Sequence, residues 1–400
     1  MKKQTILFTY SLITCFIISC SNYENNEKSV IKLNPNDAKK TINLSEIVDT
    51  ISYIRLETIK ESQMIKVGEI VIKEKNIYCL DYGQKAIFIF AIDGRFLKKL
   101  EKQGDGPDQY RKLDKFLVNE DETEIEIFDY RGENSRIITY SIDSLSFISE
   151  RPIFLPISNS MRKEKNNNTY YFSTQQIENQ IENNLTNGDI IAVTEGEKPK
   201  ILLPKKIESN GVMFSPNTES FTTNENGEIF ISIMYHNTFY KLQNKIAIPE
   251  FSVDFESLGI DNSIGLRSTT EQKNYLTNES NEKAFFPVLN INNSKIILFS
   301  YYFKENNKNH LHHYINFKEN NKIFHVRDIV NNITNYPDKV YLSSYYYAVN
   351  HEVIYKDYFV DIVLPWHTNQ GKIIEIPNIG TIEPEDNPVI ILMKLKKLDD

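Results

Sequence analysis

The chain has 400 residues, 40% of them hydrophobic and 25% charged, with a formal net charge of −8. This is ordinary globular composition, and an acidic balance with no basic stripe argues against a nucleic-acid binder. The 23 Tyr and 23 Phe, set among abundant Ile, lean toward β structure.

The N-terminus reads "MKKQTILFTYSLITCFIISCSN". Lys2 and Lys3 precede an almost uncharged apolar run, Ile6 to Ile18, the pattern of an export signal over residues 1–19. The run is too short to be a membrane span. Its end, Ile17-Ile18-Ser19-Cys20, resembles a bacterial lipobox, which implies that Cys20 is acylated and becomes the anchored N-terminus. Residues 20–40, with "SNYENNEKS", read as a flexible polar tether, and 41–400 as the folded domain. Cys15 leaves with the signal, so Cys79 in "NIYCLD" stands alone and reads as a small buried apolar residue without a disulfide or a metal.

Two segments then repeat each other. "NIYCLDYGQKAIFIFAIDGRFLKKL" (76–100) and "EIEIFDYRGENSRIITYSIDSLSFI" (124–148) each hold a strand ending in Asp-Tyr, a polar turn, and a second strand ending in Ile-Asp. Asp81 and Asp129 lie 48 residues apart. Weaker copies follow, and the six units begin their apolar runs at Ile77, Ile125, Tyr170, Ile229, Ile296 and Val353. Period-2 alternation bounded by Asn, Asp and Gly is the strand signal. Four short strands per unit of this length make a β-propeller blade. The expectation is an all-β, six-bladed β-propeller. A strand at 46–58 would complete the last blade with one at 387–397, closing the ring and removing its edges, while 363–386 interrupts that blade as an insertion.

The order "IYCLD", "AIFIFAIDG", "RFLKKL" and a Gly-rich link resembles NHL- and TolB-like propellers. With the Cys20 motif, "GDGPDQY" and the terminal "EDNPVIILMKLK", the chain is similar to the six-bladed β-propeller lipoproteins of the Bacteroidetes type. The resemblance implies the architecture and an outer-membrane lipoprotein; that family carries no single established activity.

The link "EKQGDGPDQYRKL" (101–113) has two glycines one residue apart, but the third glycine of a dinucleotide fingerprint would stand at 109, which is Gln109. It reads as an inter-blade turn, with Gly104 and Gly106 free to take positive φ, Pro107 fixing the turn and Tyr110 burying its ring as an anchor. His310 and His312 share one face of a strand, with His313 on the other, but no acid or Cys completes a metal set, so they read as exposed polar residues. "HEVIY" has Tyr355 where a zinc-protease helix needs its second histidine. Asp49-Thr50-Ile51 and Asp143-Ser144-Leu145 resemble a short O-glycosylation acceptor motif.

In a propeller the inter-blade links and the turns between second and third strands gather on one face. Those turns carry Tyr82, Tyr130, Arg131, His236 and Tyr302, a set that suits a sugar or peptide surface. The expectation is a non-catalytic, lipid-anchored binding module of the outer membrane, periplasmic or surface-facing, for a glycan, a peptide or a partner protein, needing no cofactor. The rival is a propeller lyase or hydrolase whose site is assembled across blades at the channel mouth.

Overall fold

The computed structural model describes residues 29–397, apart from 132–133, 154–159, 166, 175–178, 182–183, 187, 205–220, 344–348, 369–370 and 377–378. The expected export signal and Cys20 lie outside the described residues.

Six sheets form a six-bladed β-propeller. The first blade runs from the inner strand Val67–Ile72 through Asn76–Asp81 and Ala86–Ala91 to the outer Phe96–Leu100. The second uses Lys115–Val118, Glu124–Asp129, Arg136–Ser141 and Phe147–Pro152, and the third Ser160–Lys163, Thr169–Ser173, Gly188–Thr194 and Lys200–Pro204. The fourth and fifth occupy 221–254 and 284–330. Ile77, Ile125, Tyr170, Ile229 and Ile296 all fall in the second strand of their blades. Val353 differs, because the second strand of the last blade is Tyr358–Val363 and its inner strand is only Ile354–Tyr355. Just before it, Asn350–His351 pairs in parallel with Glu69–Ile70 of the first blade, so this inner segment is shared across the seam.

Alternation along each strand feeds two interfaces at once. In Asn76–Asp81, Ile77 and Cys79 pack against the last blade with Phe88 and Ile390, whereas Tyr78 and Leu80 pack against the second with Ile125 and Tyr140. Each of the six blade interfaces holds its own apolar cluster in this way. Cys79 is a free, buried thiol, pushed up from its ordinary value by burial and by the nearby Asp81 charge, and so unreactive.

A buried Asp in the second strand, at its end in the first two blades and two residues before its end in the last, has a structural role. Asp129 is fully buried; its Oδ1 accepts the backbone N–H groups of Arg111 (2.9 Å) and Lys112 (3.1 Å), and its Oδ2 accepts from Arg131 Nε (2.5 Å) and Arg136 Nε (3.1 Å). Asp81 accepts from the N–H groups of Ile65, Lys66, Gly83 and Gln84. Asp361, in the last blade, accepts from Tyr341 N–H (3.0 Å) and Ile362 N–H (2.8 Å). Each thus ties the link arriving at its blade to the blade's second strand.

Residues 101–113 form such a link. Tyr110 is fully buried, its hydroxyl donating to Lys85 O (2.7 Å) and accepting from Lys102 N–H (3.0 Å), its ring edge-on to Tyr140. The carbonyls of Pro107, Asp108 and Gln109 accept from Arg136 Nη1, Tyr140 Oη and Arg131 Nη2. Neither Gly104 nor Gly106 adopts the expected positive φ. Gly104 is needed for space: a Cβ there would overlap the Gln109 carboxamide, which folds back to accept the Gly106 N–H (2.9 Å).

Closure follows the expected pairing. Val48–Arg55 is the outer strand of the last blade, antiparallel to Val389–Leu395. The insertion between Val363 and Val389 holds a short helix, Pro365–Thr368, and a hairpin of Ile374–Ile376 with Gly380–Ile382. The expected tether over 20–40 is overturned from Ser29 onward. Ser29–Lys32 adds in parallel to the outer strand of the fourth blade, and Lys39–Asn43 to that of the fifth. Leu33, Ile42 and Leu44 bury their side chains in the adjoining cores, and that burial is what orders this segment.

Two predictions follow from the buried aspartates. Asp129→Ala leaves two guanidinium groups and two backbone N–H groups without their acceptor and should lower unfolding stability by about 3–5 kcal/mol, whereas Asp93→Ala in an exposed turn should change it by less than about 0.5 kcal/mol; urea titration measures both. Burial pushes the Asp361 carboxyl up from 3.8 to about 7, against the two N–H bonds it accepts. Between those values the folded state holds a proton that the unfolded chain has lost, so this group's contribution falls as pH rises, by up to about 1.4 kcal/mol per pH unit. The stability of the wild type relative to Asp361→Asn should therefore shrink from pH 4.5 to pH 7, and a constant difference across that window would refute it.

Candidate functional site

The residues expected to form a binding face fall into two groups. At the first and second blades, the Tyr82 ring lies over Gly68, where a Cβ would not fit, and its hydroxyl points to Asp114 O (3.5 Å). Tyr130 is half-buried with Lys112 Nζ 4.6 Å from its ring centroid, and Arg131 is committed to Asp129 and Gln109 O. At the fourth and fifth blades, His236 meets the Tyr240 hydroxyl (3.4 Å) and Tyr302 packs on Phe285. Tyr302, Tyr235 and Phe285 share an apolar cluster with Ile260, Ile264 and Tyr275 of the link 255–283. A Ser268–Glu271 capping box starts the short helix Thr269–Asn274 in that link, and Gln272 accepts from the Tyr235 hydroxyl (2.9 Å). None of these five candidates lines the cavity described below.

The histidine run also differs from expectation. Lys308–Phe317 is a ten-residue strand in the middle of the fifth blade, so His312 and His313 are buried. His313 bonds Ser300 Oγ (2.9 Å); His312 and His325, the latter on the neighbouring strand, both meet the Tyr301 hydroxyl (3.2 and 2.6 Å). Burial, then the neighbouring His325, pushes His312 down to about 3, so its ring is neutral. Among the described residues no group of three or more His, Cys, Asp or Glu is arranged to hold a metal ion. Thr50 and Ser144 of the two acceptor-like motifs are both exposed.

A cavity of about 360 Å³ opens at the other mouth of the channel, where turns join first and second strands. Its walls come from the inner strands of the first, second and third blades, the 223–227 turn of the fourth, and His351 and Glu352 at the seam. Charge is abundant here and mostly fixed. Glu69 and Lys115 form a buried ion pair (3.4 Å) between two inner strands. Glu126 accepts from Arg151 Nη2 (2.5 Å), Lys163 Nζ (2.8 Å) and the Tyr170 hydroxyl (2.9 Å), joining the second and third blades. Burial and the Glu126 charge raise Tyr170 above its usual value, keeping it a neutral donor. Glu164 accepts from the Tyr171 hydroxyl (2.9 Å) and Asn244 N–H (3.0 Å), and Lys165 pairs with Glu120 (2.9 Å) at the rim. His351 is buried and pushed down to about 4 by burial, hence neutral, with Nδ1 toward Val349 O (3.3 Å).

Three lining charges differ from the rest: the Lys73 ammonium and the Glu124 and Glu352 carboxylates have no partner among the described residues. None of these positions stood out in the sequence. The available signal was a charged residue inside an otherwise apolar strand, as Glu69 in "VGEIVI", Lys115 in "KFLV" and Glu126 in "EIEIFD". Among the described residues no helix is long and apolar enough to cross a membrane.

The fold is shared with solved structures of low sequence identity. A protein of Bacteroides fragilis described as exported superposes with a TM-score of 0.66 at 14% identity, covering 92% of this chain and 100% of its own. A member of the DUF4221 family from Bacteroides vulgatus gives 0.53 at 8% identity, covering 87% and 97%. No curated protein matches the chain. The family model described as a domain of unknown function, DUF4934, matches residues 28–394, and the chain belongs to that family.

Proposed function

We propose that this protein is an exported, lipid-anchored propeller that binds a glycan, a peptide or a segment of a partner protein in the channel mouth formed by the first-to-second-strand turns, without transforming it. The observation that carries the reading is the cavity of about 360 Å³, within the size range of small-ligand sites, with its walls drawn from four blades and the segment at the seam. Its fixed ion pairs hold the lining rigid, so a ligand meets a formed site and little ordering entropy is lost on binding. Export and anchoring are supported by Lys2, Lys3, the apolar run to Ile18 and Cys20, and the similarity to an exported protein agrees with them. Anchoring at Cys20 would leave only a short stretch between the lipid and Ser29, which pairs on the rim of the fourth blade.

The test is a ligand-observed NMR screen of short peptides and oligosaccharides on the purified full-length protein. Glu120→Trp, at the exposed rim, should abolish binding of the hits while leaving the melting temperature within about 1 °C, since the Lys165–Glu120 pair is a surface ion pair of small worth. Tyr82→Ala and Tyr130→Ala should leave the same hits bound, and the compounds should be recovered chemically unchanged. Hits lost in the tyrosine variants and kept in Glu120→Trp would move the site to the opposite mouth, and turnover of a hit would replace the binder with an enzyme.

A further inference from the structure

We propose that the ligand of this channel mouth is a short zwitterionic peptide, its carboxylate meeting Lys73 and its ammonium meeting Glu124 and Glu352. The proposal rests on the channel mouth being the binding site. It starts from an accounting of the charges that line it. Glu126, Glu69, Glu164, Glu120, Lys163 and Lys165 are each taken up by a partner within the protein, and Arg162 donates to the Met161 carbonyl (3.0 Å). A ligand could use those groups only by breaking an existing pair. Lys73, Glu124 and Glu352 have none to break among the described residues.

These three sit on different parts of the wall. Lys73 follows the inner strand of the first blade, Glu124 opens the second strand of the second blade, and Glu352 lies on the segment shared across the seam. Charges of both signs therefore face one cavity. A purely anionic ligand would place like charge against two free carboxylates, and a purely cationic one would place it against the free ammonium; like-charge contact is penalised in a partly dehydrated site. A molecule carrying both signs satisfies all three. A neutral sugar is disfavoured for a different reason. Sugar rings are recognised by exposed aromatic faces, and Phe116, the aromatic residue in the lining, is itself buried in the interface between the first two blades.

The experiment uses four probes of similar size on the purified full-length protein, read by isothermal titration calorimetry: trialanine, its N-acetylated form, its C-terminal amide, and maltotriose. Trialanine should bind, and each capped form should bind at least about tenfold more weakly, the loss expected for one charge-assisted contact. Lys73→Met should remove the difference between trialanine and its amide while keeping the difference from the N-acetyl form. The double variant Glu124→Gln with Glu352→Gln should do the reverse. All three side chains are at least partly exposed and have no partner among the described residues, so the variants should melt with the wild type, and circular dichroism checks this. Equal binding of capped and uncapped peptides, or capping differences that survive both sets of substitutions, overturns the proposal. Maltotriose binding that Glu120→Trp abolishes, without peptide binding, overturns it and leaves the channel mouth as the site. Absence of binding by all four probes overturns it, and the site itself falls as well if the wider screen yields no hit sensitive to Glu120→Trp.

Discussion

A carboxylate buried in the second strand organises three of the joints in this ring. Hydrogen bonds within a blade complete its own sheet, and apolar contact between blades is non-directional, so neither sets how one blade's link arrives at the next. The side chains of Asp81, Asp129 and Asp361 do, by capturing backbone N–H groups of the incoming link. Asp129 goes further and gathers Arg131 and Arg136, which in turn hold the carbonyls of the 101–113 loop. A glycine-bearing loop that looks permissive in sequence is thereby fixed at each of the carbonyls from Pro107 to Gln109.

The two ends of the channel are built differently. On the side of the inter-blade links, aromatic side chains are consumed by packing, most plainly where the 255–283 segment buries Tyr235 and Phe285. On the other side, the turns are short and polar, and their acidic residues cross between blades. Glu122 accepts from Lys75 N–H (2.8 Å) and the Tyr78 hydroxyl (3.1 Å) of the first blade, and Glu225 accepts from Ser294 N–H (2.8 Å) of the fifth. Those bonds keep neighbouring turns in register around the mouth, so the cavity is a product of the same contacts that join the blades.

Much of the architecture was legible because it is periodic. Alternation marked the second strands, the Asp-Tyr signature marked their ends, and the terminal strands were long enough to suggest closure. The belt at 29–43 was not legible, since "SVIK" and "KKTIN" are four- and five-residue strands with few apolar positions, stabilised by parallel pairing to partners more than two hundred residues away. The burial of His312 and His313 was missed because the fifth blade has strands of nine or ten residues, which carry a polar-looking run into the interior. The channel site was invisible for a geometric reason. Its charges come from separate blades, and each alone looks like a solvated turn residue.

The belt also dictates an order of events. Ser29–Lys32 and Lys39–Asn43 have no partners until Phe251–Asp254 and Val326–Val330 exist, and Val48–Arg55 waits for Val389–Leu395. A chain synthesised from its N-terminus therefore carries these strands unpaired until the fourth, fifth and last blades, respectively, have been made. Contacts of such long sequence separation form slowly, which leaves an interval in which the polypeptide is still threadable. For the exported, anchored propeller proposed above, delayed closure would keep the chain translocation-competent up to the moment the last blade arrives.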